Sequence, residues 1–422
     1  MRFWGTALDH LLRRLVQDGG LHLHYPDGTL RHYGQGRGPT VRLNASALPR
    51  RLVLRPDMAL GDAYTDGTLT IDDDDLAGLL ALILRNADEG RANTWRFPMV
   101  RVQRIIKLAR QITPVPKARA NVAHHYDLSE ELYRLFLDQD MQYSCAYFKT
   151  PDDSLDQAQA QKKAHIAAKL RLQPGMRVLD IGCGWGGMAL TLARDHGVRV
   201  LGITLSAEQH RVATARAIAA DLSDRVEFRL VDYRELTGSF DRIVSVGMFE
   251  HVGVPQYSRY FNKVRDLLTH DGVALIHTIG RMAPPGVTSP WIHKNIFPGG
   301  YVPALSEVVP VIENSRLRLT DVEVWRLHYA ETLLHWRSRF DANLPRIRNL
   351  YDERFCRMWR FYLASSEMSF RHYGQCVFQL QLSRQVETLP VTRDYMYGTA
   401  PGAAAGKHPQ QARKRGRQSI SA

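Results

Sequence analysis

Cysteine is scarce in this chain. Cys145, Cys183, Cys356 and Cys376 are widely scattered, and none belongs to a C-x-x-C pair. A chain of this length needs no disulfide framework, and the cytosol is the simplest compartment. Long apolar runs are also missing. The longest, Leu76–Leu84, is interrupted by Gly78 and falls far short of the ~20 residues of a membrane span. The opening stretch, Met1–Val16, carries Asp9 and the Arg13-Arg14 pair inside its apolar pattern, so it lacks the apolar core of a secretory signal. Acids are outnumbered: 43 Asp and Glu stand against 56 Lys and Arg, a formal net charge of +13. That balance favours nucleic acid, anionic lipid or acidic substrates, and does not choose among them. No internal repeat is evident.

What is present divides the chain into residues 1–116, 117–398 and 399–422. The first region holds the turn signals Pro26-Asp27-Gly28 and Gly34-Gln35-Gly36-Arg37-Gly38-Pro39, which predict short strands. The acidic run Asp72–Asp75 precedes an apolar segment and reads as a helix start. Metal binding is the sharper alternative, although adjacent carboxylates point in different directions. Phe97–Thr113 reads as a basic amphipathic helix, suited either to an anionic membrane surface or to packing between domains. Thr113-Pro114-Val115-Pro116-Lys117 is a stiff linker. The segment from Thr399 has five basic residues and no acid, and is expected to be a disordered basic tail.

Between linker and tail, apolar and β-branched runs alternate with helical stretches. Met176–Ile181, Val198–Ile203, Val226–Val231, Arg242–Val246 and Val273–Ile279 predict an α/β, doubly wound, mostly parallel sheet. Leu317–Trp325 and Val377–Leu382 are expected to complete one edge. The adjacent His124 and His125 point two ways, so no metal site is expected there, and Asp127-x-x-Glu130 reads as a helix capping box.

The run Leu179-Asp180-Ile181-Gly182-Cys183-Gly184-Trp185-Gly186-Gly187 follows a strand and opens a helix. Glycines at this corner allow a sharp turn and close approach of a ligand. Their spacing fits the dinucleotide pattern, yet the next strand ends Gly202-Ile203-Thr204-Leu205-Ser206, without the acid that a nicotinamide enzyme would want.

The segment instead resembles motif I of class I methyltransferases, with Asp180, Gly182 and Gly184 matching the S-adenosylmethionine loop. Over about residues 121–383 the likeness becomes specific. It is carried by Met141–Phe148, the glycine loop, Ile203–Gln209, Asp232-Tyr233-Arg234, Asp241–Gly253, His277-Thr278-Ile279-Gly280 and Pro290–Gly300. In combination these resemble the cyclopropane-fatty-acid synthases. Asp57–Leu80, with Gly61–Gly67 inside it, resembles that family's amino-terminal domain more loosely.

The resemblance implies a seven-stranded methyltransferase sheet with helical insertions, preceded by a smaller lipid-handling domain. It implies S-adenosylmethionine held by Tyr143, Ser144, Asp180, Gly182, Gly184, Thr204, Leu205, Gln209, Asp232 and Tyr233. It also implies a bicarbonate ion held by Cys145, Glu250, His277, Tyr329 and the backbone of Ile279. The implied partners are unsaturated phospholipids at an anionic membrane surface and a second copy of the chain, not nucleic acid; the implied place is the cytoplasmic face of the membrane.

The residue types suit that chemistry. An alkene is a weak nucleophile and must be held close to the sulfonium methyl. Ring closure then needs a base for one proton and exclusion of water. Thiol, imidazole, phenol and amide can each donate to an anion. Tyr147, Phe249 and Trp291 are expected to face the developing cation. Taken singly, each residue has a plainer reading, such as a buried thiol, a satisfied core histidine or a helix-start carboxylate. Rival readings are methylation or methylenation of an acyl chain without ring closure, small-molecule N-methylation, and non-catalytic lipid or nucleic-acid binding.

Overall fold

A computed structural model describes residues 3–88 and 129–397. The expected basic helix Phe97–Thr113, the linker and its boundary at residue 116, the His124-His125 pair and the tail from Thr399 lie outside the described residues.

The amino-terminal region is a four-stranded sheet with helices. Its strands are β1 (Gly20–His24), β2 (Leu30–Gly34), β3 (Thr40–Leu43) and β4 (Leu69–Ile71), in the order β2-β1-β3-β4. The predicted turns are where the strands reverse. Gly28 has φ 80°, and Tyr25 N–H donates to Thr29 O at 2.8 Å across the β1–β2 turn. At Gly38 a Cβ would come within 1.6 Å of Gly20 O, so the return to β3 admits no side chain there. The acidic run is a helix start: Asp75 Oδ1 accepts from Gly78 N–H at 2.8 Å ahead of the helix Leu76–Asp88. Asp72 is gripped bidentately by Arg42, and Asp74 pairs with Arg360. No metal-binding cluster occurs among the described residues.

The second region is built on a seven-stranded sheet ordered β10-β11-β9-β8-β5-β6-β7. These are β5 (Arg177–Ile181), β6 (Arg199–Thr204), β7 (Val226–Leu230), β8 (Phe240–Val246), β9 (Leu268–Arg281), β10 (Arg318–Trp325) and β11 (Gln375–Ser383). From β9 to β7 all pairs are parallel, and β11 is antiparallel to both β9 and β10. The two late strands therefore form one edge, as expected. β8 and β9 begin earlier than the apolar runs because Phe240 pairs with Leu268 across an irregularity; β9 runs on to Arg281 because Gln375 pairs there.

Strand order reverses at β5, whose neighbours are β8 and β6. In open parallel sheets ligands bind beyond the carboxyl ends of the strands at such a reversal. The helix Glu130–Phe136 is capped by Ser129, which accepts from Leu132 N–H; Asp127 of the expected capping box lies outside the described residues.

One apolar cluster runs from Leu21, Leu43 and Leu79 of the first region to Tyr133, Trp336 and Trp359 of the second. The 20-residue helix Glu353–His372 joins them. Its Arg357 lies 4.2 Å over the Tyr64 ring and donates to Tyr64 O at 2.6 Å. Gly61 packs on the Trp291 indole, where a Cβ would come within 2.5 Å. No helix among the described residues is long and apolar enough to cross a membrane.

Candidate active site

Beyond β5 the chain turns through Gly182 (φ 83°), Gly184 (φ 53°) and Gly186 (φ 87°) before the helix Gly187–His196. A Cβ on Gly182 would strike Met248 at 2.8 Å, whereas one on Gly184 would meet no protein atom. Gly184 instead faces a cavity of about 120 Å³. Gly182, Thr204, Leu205, Gln209, Asp232 and Tyr233 line it too, so seven of the ten expected cofactor residues come together. Thr204 Oγ1 donates to Gln209 Oε1 at 2.8 Å. Asp232 is held by the Arg234 guanidinium through bonds of 2.8 and 2.7 Å.

The other three lie elsewhere. Asp180 is buried beneath the loop with no hydrogen-bond partner on Oδ2 among the described residues. Burial pushes its carboxyl up to about 7, against the pull of Lys162. Tyr143 and Ser144 line a second, larger cavity, because the segment carrying them crosses beside the strand ends. Tyr143 stacks on Trp336 and shares a 2.8 Å hydrogen bond with Tyr362.

That second cavity has a volume of about 550 Å³. Cys145, Glu250, His277, Ile279 and Tyr329 all line it. The turn Phe249–His251 delivers Glu250, and β9 delivers His277 and Ile279. The Ile279 N–H, expected to face a bound anion, donates to Glu250 Oε1 at 2.6 Å. One amide hydrogen makes one good bond, so this amide orients the carboxyl. Glu250 Oε2 is buried with no hydrogen-bond partner among the described residues. Burial pushes Glu250 up to about 7, with the Ile279 amide opposing.

His277 sits edge-on to Trp325, ring centres 5.2 Å apart. Gln379 Nε2 donates to its Nδ1 at 3.1 Å, so the neutral ring carries its proton on Nε2, an atom without a hydrogen-bond partner among the described residues. Burial, reinforced by Lys162 and Lys169, holds this histidine well below the usual imidazole range. Burial also pushes the Cys145 thiol up, so it keeps its hydrogen. The Tyr329 ring packs on Phe370 and Trp336.

Three aromatic expectations are corrected. Phe249 stacks on Tyr257 in the core, Trp291 covers Gly61, and Tyr147 is sandwiched between His165 and His328. None lines the cavity; Tyr143, Phe297, Tyr329 and Tyr362 do.

The site also has members that sequence reasoning missed. Gly247 and His251 line both cavities and mark where they meet. Both lie in the Asp241–Gly253 run, which was the available signal. Burial lowers His251 to about 4, so it is neutral. Lys162 had no signal beyond its place in a helix. Fully buried, it donates to Gln142 Oε1 at 2.7 Å and Ser144 Oγ at 2.8 Å, bracing the segment that carries Cys145.

Residues 115–380 match the model of the mycolic acid cyclopropane synthetase family. The chain belongs to that family. It is 39% identical over 349 residues to the cyclopropane-fatty-acyl-phospholipid synthase of Escherichia coli K12, covering 82% of this chain and 88% of the relative. It is 42% identical over 288 residues to a Pseudomonas putida protein named "Probable fatty acid methyltransferase", covering 65% and 73%. Among solved structures, mycolic acid cyclopropane synthase CmaA1 complexed with SAH and CTAB superposes with a TM-score of 0.60 at 34% identity, covering 65% of this chain and 99% of that one.

This member of the mycolic acid cyclopropane synthetase family is thus an S-adenosylmethionine-dependent methyltransferase, and its residues fit that cofactor. The open space at Gly184 lets a ligand approach the backbone. In the large cavity, Glu250 Oε2 and His277 Nε2, both without partners among the described residues, also fit a small hydrogen-bonding oxyanion.

Proposed function

We propose that this enzyme transfers a methylene group from S-adenosylmethionine to the cis double bond of an unsaturated phospholipid acyl chain, closing a cyclopropane ring. The supporting observation is the meeting of a small glycine-loop cavity with a large apolar one at Gly247 and His251, where Glu250 Oε2 and His277 Nε2 lack hydrogen-bond partners among the described residues. When bound, S-adenosylmethionine supplies an electrophilic methyl group and bicarbonate a proton acceptor.

The residues have separable tasks. The glycine loop and the Thr204–Gln209 turn hold the donor; the apolar wall aligns the acyl chain and excludes water. The alkene pair forms the new carbon–carbon bond as the carbon–sulfur bond breaks. A C–H bond of the transferred carbon then closes the ring, and its proton goes to the base. His277 Nε2–H, the Cys145 thiol and the Tyr329 hydroxyl would hold that anion as donors, and Glu250 would hold it by accepting its hydroxyl. Lys162 and the Ile279 amide keep these groups in place.

This reading places the enzyme as a homodimer at the cytoplasmic face of an anionic membrane. The homodimer is implied by the family resemblance, and the anionic surface is supported by the net charge of +13. The name of the Pseudomonas putida relative favours a second reading, methyl transfer to the acyl chain without ring closure. Incubating the purified chain with labelled S-adenosylmethionine and vesicles of unsaturated phospholipid, then identifying the product by mass spectrometry and nuclear magnetic resonance, separates the two. A labelled ring is expected. A methyl branch favours the second reading, and label absent from lipid overturns both.

A further inference from the structure

Resting on the phospholipid reading, we infer that Arg281 binds the phosphate of the lipid headgroup at the mouth of the large cavity, and so helps to select phospholipid. Among the described lining residues it is the one arginine or lysine. It ends β9, the strand that also supplies His277 and Ile279. Alternate residues of a strand share a face at ~3.3 Å per residue, so Arg281 stands about 13 Å along that face from His277. The reacting double bond and the headgroup of one lipid require such a separation.

The backbone of Arg281 is fixed on both sides. It pairs with Gln375 of β11 and bridges to Ala304, and its N–H donates to Pro303 O at 2.9 Å. Its Nε–H donates to Val302 O at 3.2 Å, which sets the plane of the guanidinium. That plane lies over Gly286, where a Cβ would come within 1.8 Å of a terminal nitrogen. The terminal nitrogens have no hydrogen-bond or ion-pair partner among the described residues. A cation fixed at one nitrogen and open at two is suited to bidentate grip of a phosphodiester.

The surroundings fit a membrane level. Leu11 and Tyr373 line the cavity yet are 41% and 44% exposed. Met282, 57% exposed, follows Arg281 and is tied by its N–H to Gly374 O at 2.9 Å. Apolar and aromatic groups around a cation are what the headgroup boundary of a bilayer accommodates.

The test is steady-state kinetics of the full chain on dioleoylphosphatidylglycerol and on dioleoylglycerol, each in neutral-detergent micelles. Arg281→Met should raise KM for the phospholipid about 10–100-fold, the loss expected for one charge-assisted contact. Its kcat should change little, its KM for dioleoylglycerol should stay near that of the unaltered chain, and Arg281→Lys should recover part of the loss. An unchanged KM for the phospholipid, or an equal rise for both lipids, would overturn the assignment. Inorganic phosphate at matched ionic strength should compete only weakly; inhibition as strong as the substitution would assign Arg281 to a free anion instead. Failure of the unaltered chain to modify either lipid would overturn the phospholipid reading, and this inference with it.

Discussion

The small cavity takes nearly all its walls from the turns that follow β5, β6, β7 and β8, whereas the large one draws on residues from Leu8 to Gln375. The first is a product of local backbone geometry: positive-φ glycines at strand ends, repeated where strand order reverses. The second is a product of assembly. Helices Phe3–Leu15 and Leu76–Asp88 and the four-stranded sheet supply its far wall, and the catalytic sheet supplies the near one. A donor common to many enzymes fits the first kind of site, and an acceptor particular to a family fits the second. Substitutions in one should leave ligand binding in the other intact.

The largest expected effect is at Gly184. With φ at 53° and the cavity beside it, Gly184→Val should remove measurable S-adenosylmethionine binding in calorimetry while circular dichroism and lipid binding are preserved. Normal affinity for the cofactor would break the assignment of the small cavity.

Next comes Glu250→Gln, which should slow turnover about 10²–10⁴-fold with little change in cofactor affinity. The same substitution should act oppositely on stability. The folded-state pKa of Glu250 is raised to about 7, so its favourable contribution is complete below the ordinary carboxylate range and is lost as pH rises through 7. At pH 8 the buried carboxylate costs on the order of 3 kcal/mol. The Gln variant should therefore melt higher than the unaltered chain at pH 8, and the gap should narrow toward pH 5. An equal or lower melting temperature at pH 8 would contradict the buried, ionised state.

A smaller effect sharpens the role of the amino-terminal wall. Ile83, half-buried and lining the large cavity, offers room for a larger ring. Ile83→Trp should shift preference toward shorter acyl chains by several-fold in kcat/KM, with cofactor binding unchanged. No change of chain-length profile in a competition assay would remove that wall from substrate selection. Smallest of all, vesicle binding should weaken several-fold on raising salt and on replacing anionic by neutral lipid, as the net charge of +13 requires. Flotation assays that show no such dependence would take electrostatics out of the account.

The same contrast explains what was legible in the sequence. The five parallel strands, the two edge strands and the glycine corner at Gly182 and Gly184 were readable because each depends on a contiguous pattern; Thr204, Leu205, Gln209, Asp232 and Tyr233 were reached through family resemblance. The polar members of the large cavity were reached only through family resemblance; nothing in the spacing of Cys145, Glu250, His277 and Tyr329 brings them together. Leu8, Leu23 and Leu79 are buried and also line the large cavity, because a lipid-sized cavity and a core are lined by the same residue types. Phe249, Trp291 and Tyr147 have the aromatic faces that a cation favours, but packing against Tyr257, Gly61 and the His165–His328 pair turns each ring away from the cavity. Lys162 was illegible because a lysine in a helix reads as solvated, and only the fold buries it against Ser144.

The central claim is that a carbon passes from the small cavity to an acyl chain in the large one and there gives up one proton. Donor labelled with deuterium throughout its methyl group, supplied with a cis-unsaturated phospholipid, tests it directly. Mass spectrometry of the lipid should show a new carbon that retains two of the three deuteriums. Retention of all three would mean that the base assembled around Glu250 and His277 does not act on the transferred carbon, and would contradict the account.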